Sequence, residues 1–534
     1  MPTVYHHRVG ISLYDAQYSA GGERQPIDDQ TITAVLSALQ QFKMTCKDFG
    51  VPEEHITILA TEATRTAHNS ADFRQQIKHS VGVDVTLLPK AEEGRIGAMG
   101  VASSLPQVSG LVMDLGGGST QLSWLTQQGD QERVTMPAQG AVSMPYGAAA
   151  MSRRLQEAEK TSTLGDLRAE VLAAVKEAYA TFQIPRDLQK SAEKRGGFTL
   201  YLSGGGFRGW GYALMSKHRV QPFPVPVING FKATRREFLD TEGITSAASS
   251  ALDNGGDQMF RVSERRASQV PAVAFLISAI AEALPQIEEV RFCQGGVREG
   301  YLFSTMSLAT SREHPLIVAT EPFDSQQRSQ AVVRLLQDAV PSGTVSGTPD
   351  HNESVFAPAV LTAFTNLMYY HSSHSKDLQA TSALRSTTSG ILANVHGVLH
   401  EDRTVLALLL CSRWGGKVPS SDEQFKCNLE KLVESSLMLW WINYLGVIAQ
   451  LIAHVYPAGI REQNLTRLSL RARWDADEKR RSLLRLELTL DSDISAEAVG
   501  KEVSAIEKVG KKKNWIGGKT GVGHKVAVEV IAAR

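Results

Sequence analysis

Over the first 125 residues the apolar positions switch repeatedly between a spacing of about two and one of about 3.6, which predicts strands alternating with helices. From Asp28 to Phe49 they fall at Ile32, Val35, Leu36, Leu39 and Phe42, a helical stripe. Short runs at Val9 to Tyr14, Ile56 to Ala60, Val83 to Leu88 and Leu111 to Asp114 read as strands, with helices at Ala71 to His79 and Glu92 to Ser104. A second α/β block with strands at Phe198 to Ser203 and Glu289 to Cys293 extends to about Ser307. The stretch from Glu313 to Ser354, rich in Ser, Pro, Gly and Thr, reads as a connector. Val355 to His454 is almost entirely helical in pattern. Strict alternation then returns at Leu468 to Trp474, Leu484 to Leu490 and Val526 to Val530, with a helix predicted from Ala496 to Val509. The expected division is 1–125, 126–310, a connector 311–354, a helical domain 355–460 and a small α+β domain 461–534.

The chain has 534 residues, with 56 basic and 56 acidic side chains in balance. That balance argues against a protein that coats nucleic acid or a polybasic membrane binder. The segment from Ser435 to Ala453 approaches the roughly 20 apolar residues of a membrane span, but Asn443 and Gln450 interrupt it, and a buried helix is expected. The four cysteines show no CxxC spacing and suit a reducing compartment, so the expected location is cytoplasmic, away from the membrane. The lysines around Asn514-Trp515 read as a solvated loop; no direct nucleic-acid partner is expected.

Candidate chemistry concentrates in Leu111-Val-Met-Asp-Leu-Gly-Gly-Gly-Ser-Thr-Gln-Leu-Ser-Trp-Leu125. An apolar strand ends at Asp114, and alternation resumes after Gly116, Gly117 and Gly118, so the segment is a hairpin. Successive glycines let backbone N–H groups close around a polyanion that side chains would keep away. Ser119 and Thr120 add hydroxyl donors, and Asp114 could hold Mg²⁺ through water. Upstream, Glu92-Glu93 opens a helix; a carboxylate beside a phosphate site can act as general base. Gly204-Gly205-Gly206-Phe-Arg208-Gly matches a dinucleotide-binding loop literally, but no acidic residue follows at the spacing that such a fold requires.

Ala60-Thr-Glu-Ala-Thr-Arg-Thr-Ala-His-Asn69, Glu92-Glu-Gly-Arg95, Asp114-Leu-Gly-Gly-Gly-Ser-Thr120, Ser203-Gly-Gly-Gly206, Ser263-Glu-Arg-Arg-Ala267 and Gly295-Gly-Val-Arg-Glu-Gly300 follow one another in order. Over residues 8 to 305 the chain thereby resembles the exopolyphosphatase/guanosine pentaphosphate phosphohydrolase family. The resemblance implies two RNase H-like α/β domains of the actin/Hsp70/sugar-kinase kind, with ATP, another phosphorylated small molecule or a phosphate chain bound between them. Carried over, Glu93 is the catalytic base, Asp114 and Gly116 to Ser119 form the second phosphate loop, and Arg65 lies near the phosphates. Gly204, Gly205 and Gly206 become a nucleotide-facing turn, with Arg208 either a phosphate contact or a solvated residue. His396-Gly-Val-Leu-His400 faintly resembles the helical HD-type domain of long exopolyphosphatases, here expected to be free of metal. Arg8-Val-Gly-Ile-Ser-Leu-Tyr-Asp-Ala-Gln-Tyr18, Pro145-Tyr-Gly-Ala-Ala-Ala150 and a C-terminal region unlike the bacterial members look closest to a fungal branch of cytoplasmic signalling proteins. That branch implies a partner: the inhibitory regulator of a basic helix-loop-helix transcription factor pair, through which mitochondrial state and glutamate supply are reported.

Two departures alter the expected activity. The family's first phosphate loop, Asp-x-Gly-Ser-Asn, would lie upstream of Arg8, which implies a missing first exon or, failing that, a binder with half a site and an exposed apolar sheet edge. Gln121 stands where the family carries Glu, and an amide cannot supply charge to Mg²⁺ or its waters. Binding without fast hydrolysis is therefore expected, with Mg²⁺-dependent hydrolysis of polyphosphate or guanosine pentaphosphate as the alternative.

Overall fold

In the computed structural model, residues 3–18, 23–127, 134–253, 264–323, 326–344, 354–461, 467–476 and 482–532 are described. They form two compact units: an α/β unit of Thr3–Lys217 with Gly230–Arg312, and a C-terminal unit to which His218–Asn229 and Glu313–Arg534 belong.

The α/β unit opens with α1 (Asp29–Asp48), whose start is capped by the Asp28 carboxylate accepting from the Thr31 N–H at 2.7 Å. Its apolar stripe packs with α2 (Ser70–Val81) around Ile32, Phe73 and Ile77. Beside them β1 (Ile58–Ala60) and β2 (Val85–Leu87) make a two-stranded parallel sheet. The strand expected at Val9 to Tyr14 does not form: these residues run as irregular chain into a short 3₁₀ turn, since a strand needs a partner ladder and, among the described residues, β1 and β2 pair only with each other. Val4, Tyr5, Val9, Phe42 and Phe49 remain exposed.

Next, α3 (Lys90–Ala102) leads into β3 (Ser109–Leu115) and β4 (Thr120–Thr126), the glycine hairpin. These strands belong to a six-stranded sheet together with β5 (Val142–Met144), β6 (Phe198–Ser203), β7 (Lys232–Thr234) and β8 (Ile287–Phe292), in the order β5-β4-β3-β6-β8-β7. β3 to β5 pair antiparallel; β3, β6 and β8 run parallel, with Leu111 opposite Leu200. The expected boundary at residue 125 is corrected accordingly. It cuts through this sheet, because β3 and β4 pair with β6 and β5 of the following block and are not the end of a preceding domain. Helices α4 (Ala148–Thr161), α5 (Leu164–Ala180), α6 (Gly204–Lys217), α7 (Val270–Ala283) and α8 (Val297–Thr305) are among those that flank the sheet in this unit. Ser263, from one of the motifs above, lies outside the described residues.

In the C-terminal unit the expected connector is largely helical. Helix α9 (Gln326–Asp338) buries Val332, Leu335 and Leu336, a helical stripe masked by the polar composition around it. Residues 345–353 of that stretch are outside the described set. With α9, helices α10 (Pro358–Leu367), α11 (His400–Arg413) and α12 (Ser436–Val455) form one core, and α12 is the expected buried helix. A sheet of β9 (Leu468–Ala476), β10 (Ser482–Leu490) and β11 (Lys525–Ala532), with α13 (Gly500–Val509), shares that core through Leu484, Leu486, Leu488 and Ile506. The expected division at residue 460 therefore separates parts that bury their apolar faces against each other.

Within this core the Tyr444 hydroxyl donates to the Ala339 carbonyl at 2.9 Å, out of contact with water. Tyr444→Phe leaves that carbonyl unpaired, and we expect a loss of about 1–3 kcal/mol of unfolding free energy in urea titrations. An unchanged midpoint would show that the carbonyl finds another donor. The segment His218–Asn229 also belongs here: Val225 is fully buried in the core, and Phe223 and Val227 pack against it. The Asn428 side chain donates to the Pro222 carbonyl at 2.8 Å, and the His400 ring lies 2.9 Å from the Val227 carbonyl.

Candidate functional site

The glycine hairpin closes with the Gly116 N–H donating to the Ser119 carbonyl at 3.0 Å. Its carbonyls face the start of α4: the Ala148 N–H donates to Gly116 and those of Ala149 and Ala150 to Gly117, at 2.9–3.1 Å. With the carbonyls so engaged, the N–H groups of Gly117 and Gly118 have no acceptor among the described residues. This approach requires glycine at 147, where a Cβ would stand 2.3 Å from the Gly117 carbonyl carbon and 2.4 Å from that of Gly118.

The hairpin forms one wall of a cavity of about 240 Å³. Gly116, Gly117, Gly118, Ser119 and Asp114 line it, as do Glu93 and Gln121. Glu93 stands in the first turn of α3, and its carboxylate takes a hydrogen bond from Arg65 at 3.0 Å. Burial raises the proton affinity of the Glu93 carboxyl, Arg65 pulls it down, and Glu62 pushes it up. Its neighbour Glu92 instead pairs with Arg95, so only one carboxylate of the Glu92-Glu93 pair faces the cavity. Burial pushes the Asp114 carboxyl up to about 6; Arg208 opposes the rise and Glu93 adds to it.

The remaining expected site residues lie just behind this lining. Arg65 is committed to Glu93 and to the Leu88 carbonyl. Thr120 is buried, and its hydroxyl donates to the Tyr146 carbonyl at 2.7 Å, away from the cavity. Gly204, Gly205 and Gly206 form no loop; they are the first turn of α6, set directly against the end of β3. At Gly204 the φ of +90° and a Cβ position 2.4 Å from an Asp114 carboxylate oxygen both demand glycine.

Sequence reasoning missed three contributors. Tyr14 packs against Gly118 and lines the cavity, as does Glu62, while Gly147 buttresses the hairpin from outside. Glu62 and Gly147 both sat inside quoted motifs, which was the available signal. Tyr14 likewise sat inside the quoted segment that begins at Arg8. Among the described residues no group of three or more His, Cys, Asp or Glu side chains could hold a metal ion.

Residues 1–309 match the model of the Ppx/GppA phosphatase family, and the chain belongs to that family. Residues 314–533 match the RTG2 C-terminal domain. The chain is 37% identical over 475 residues to retrograde regulation protein 2 of Saccharomyces cerevisiae, covering 87% of this chain and 78% of that protein. A guanosine-5'-triphosphate,3'-diphosphate pyrophosphatase of Photobacterium profundum is 40% identical over 73 residues, 14% of this chain and 15% of its own. Among solved structures, the type II variant of the Aquifex aeolicus Ppx/GppA phosphatase shares 22% identity at a TM-score of 0.38, over 53% of this chain and 85% of that one. An exopolyphosphatase from Cytophaga hutchinsonii shares 18% at 0.39, over 53% and 84%.

Proposed function

We propose that the protein is a cytoplasmic regulator of mitochondria-to-nucleus signalling and of glutamate and nitrogen metabolism. It binds a nucleotide or other phosphorylated metabolite in this cavity, and the bound state controls its grip on an inhibitor of transcription factors. The observation that carries the binding reading is the pair of N–H groups without acceptors at Gly117 and Gly118, beside the carboxylates of Glu93 and Asp114. Similarity to retrograde regulation protein 2 over most of the chain supports the signalling role.

The residues fit Mg²⁺ arriving with a phosphate. Glu93 and Asp114 face one cavity, and both hold protons more readily than ordinary carboxyls, chiefly because burial disfavours their charged forms. Mg²⁺ is commonly held by one or two carboxylates together with phosphate oxygens. Asp114 would hold it here; bound, it would neutralise phosphate charge. Glu93 is the group placed to take a proton from a water at the phosphate, held in orientation by Arg65.

Mg²⁺-dependent phosphoanhydride hydrolysis is the second reading, favoured by family membership. Calorimetry with Mg·ATP and phosphate-release assays on polyphosphate separate the two. The sensor reading expects saturable binding with negligible release, and Glu93→Gln keeping the affinity within about threefold. Rapid release abolished by Glu93→Gln would overturn it in favour of the enzyme. Absence of both binding and release would leave neither.

A further inference from the structure

The cavity lining contains three acids, Glu62, Glu93 and Asp114, and no Lys or Arg among the described residues. A chain of phosphates gains negative charge with every unit, and such a lining repels whatever extends beyond the phosphate that the hairpin amides hold. The rest of the wall is of a different kind. Ala98, Val112 and Val297 give it apolar surface, and Tyr14 is its one aromatic side chain among the described residues. These groups suit the uncharged body of an organic ligand, which a bare phosphate chain lacks. Tyr14 is held in place from two sides. Its ring lies against the hairpin, 3.1 Å from where a Cβ on Gly118 would stand. The buried Gln17 amide donates to the carbonyls of Leu13 and Ala63, both at 2.7 Å, and Ala63 also lines the cavity. On the other side Arg153 of α4 pairs with Asp15 at 3.4 Å, and its guanidinium stands 4.7 Å from the Tyr18 ring centre and 5.7 Å from that of Tyr14. The same helix fixes the hairpin through the N–H groups of Ala148 to Ala150, so the ring and the amide cradle share one anchor.

We propose that Tyr14 is a specificity-determining residue of the site: its ring stacks on the aromatic body of a ligand whose phosphate lies in the Gly117–Gly118 cradle. The site then takes a phosphate carried on an aromatic molecule, a nucleoside monophosphate being the simplest, in preference to an inorganic phosphate chain. The inference rests on the phosphate-binding reading above and names the class of ligand within it. The ring stands beside the cradle, where a base separated from its own phosphate by one ribose can reach it. Stacking on an aromatic side chain tolerates every base, since each has a π-face, so Tyr14 selects the class of ligand and not the base. The acids add discrimination of the opposite sign, because each further phosphate meets like charge.

The test is calorimetric titration of the full chain, with Mg²⁺ present, against AMP, inorganic pyrophosphate and inorganic tripolyphosphate. The wild type is expected to bind AMP about tenfold more tightly than either inorganic chain, or better. Tyr14→Leu keeps bulk against Gly118 but offers no π-face. It is expected to lose roughly tenfold in AMP affinity, with pyrophosphate affinity staying within about twofold of the wild type. Tyr14→Phe, which keeps the ring, is expected to match the wild type. Thermal unfolding shows that each variant is folded, and the comparison of ligands on the wild type stands without the variants. Parallel loss of AMP and pyrophosphate affinity in Tyr14→Leu would mean that the ring only steadies the hairpin, and overturns the proposal. Tripolyphosphate bound by the wild type as tightly as AMP overturns it too. Failure of the phosphate-binding reading has a different signature: the wild type would bind none of the three compounds.

Discussion

Gln121→Glu is expected to raise Mg²⁺-dependent phosphate release from polyphosphate by about 10–100-fold over the wild type, the range by which groups around a bound metal affect activity. In the present structure the Gln121 amide donates to the Ser119 hydroxyl at 2.8 Å, so both side chains hold each other at the cavity wall. An amide in that place orients the hydroxyl but brings no charge. A carboxylate of nearly the same shape would accept from Ser119 and add a fourth acid to a lining that already holds Glu62, Glu93 and Asp114. Metal affinity follows ligand charge, so the ion would be held more firmly while the terminal phosphate reacts. The measurement is phosphate release per protein at saturating Mg²⁺, with Gln121→Glu/Glu93→Gln as the control that returns the rate to background. Equal rates for Gln121→Glu and wild type would show that the amide is not what restrains turnover.

The second large effect is expected at a residue that never touches the ligand. Gly147→Ala puts a methyl group within 2.3–2.4 Å of the backbone of Gly117 and Gly118, closer than atoms can stand. The hairpin must move, and the Ala148–Ala150 N–H groups that fix its carbonyls lose their alignment. A displacement of about 1 Å in a positioned site costs on the order of 100-fold in function, and overpacking costs about 1–3 kcal/mol of stability. Calorimetry with Mg·ATP reads the first and urea unfolding the second. Gly205→Ala is the matched control, because a Cβ there meets open space, and it is expected to leave both unchanged. Retained affinity in Gly147→Ala would mean that the hairpin does not form the anion cradle.

What could be read from the amino-acid order followed the range of the forces involved. β6 and the β3–β4 hairpin were legible because alternation and glycine are local signals, and the strands formed where the pattern put them. Val9 to Tyr14 carries a comparable pattern and forms no strand, since a strand exists only with a partner. Helix α9 was hidden for the opposite reason: its polar and small residues look like a linker until Val332, Leu335 and Leu336 have a core to enter. At the site, Glu93, Asp114 and the three hairpin glycines were legible because chemistry and spacing coincide in one short stretch each. Tyr14 and Gly147 stood inside quoted motifs, but their contacts with Gly117 and Gly118 join separate parts of the chain, and local pattern does not show such contacts.

The excursion of residues 218–229 has a bearing on how the protein is made. Ribosomes deliver the chain amino end first, and domains tend to fold as they emerge. Val225 is buried in the core of α9 to α12, and Phe223 and Val227 pack against it, yet all three leave the tunnel before those helices have been synthesised. Until His400 and Asn428, which meet this segment, have been made, the nascent protein carries an oily ribbon without its partners. A chain ending after residue 312 would keep Phe223, Val225 and Val227 but lack the helices whose core they meet, leaving an apolar segment open to water and to aggregation.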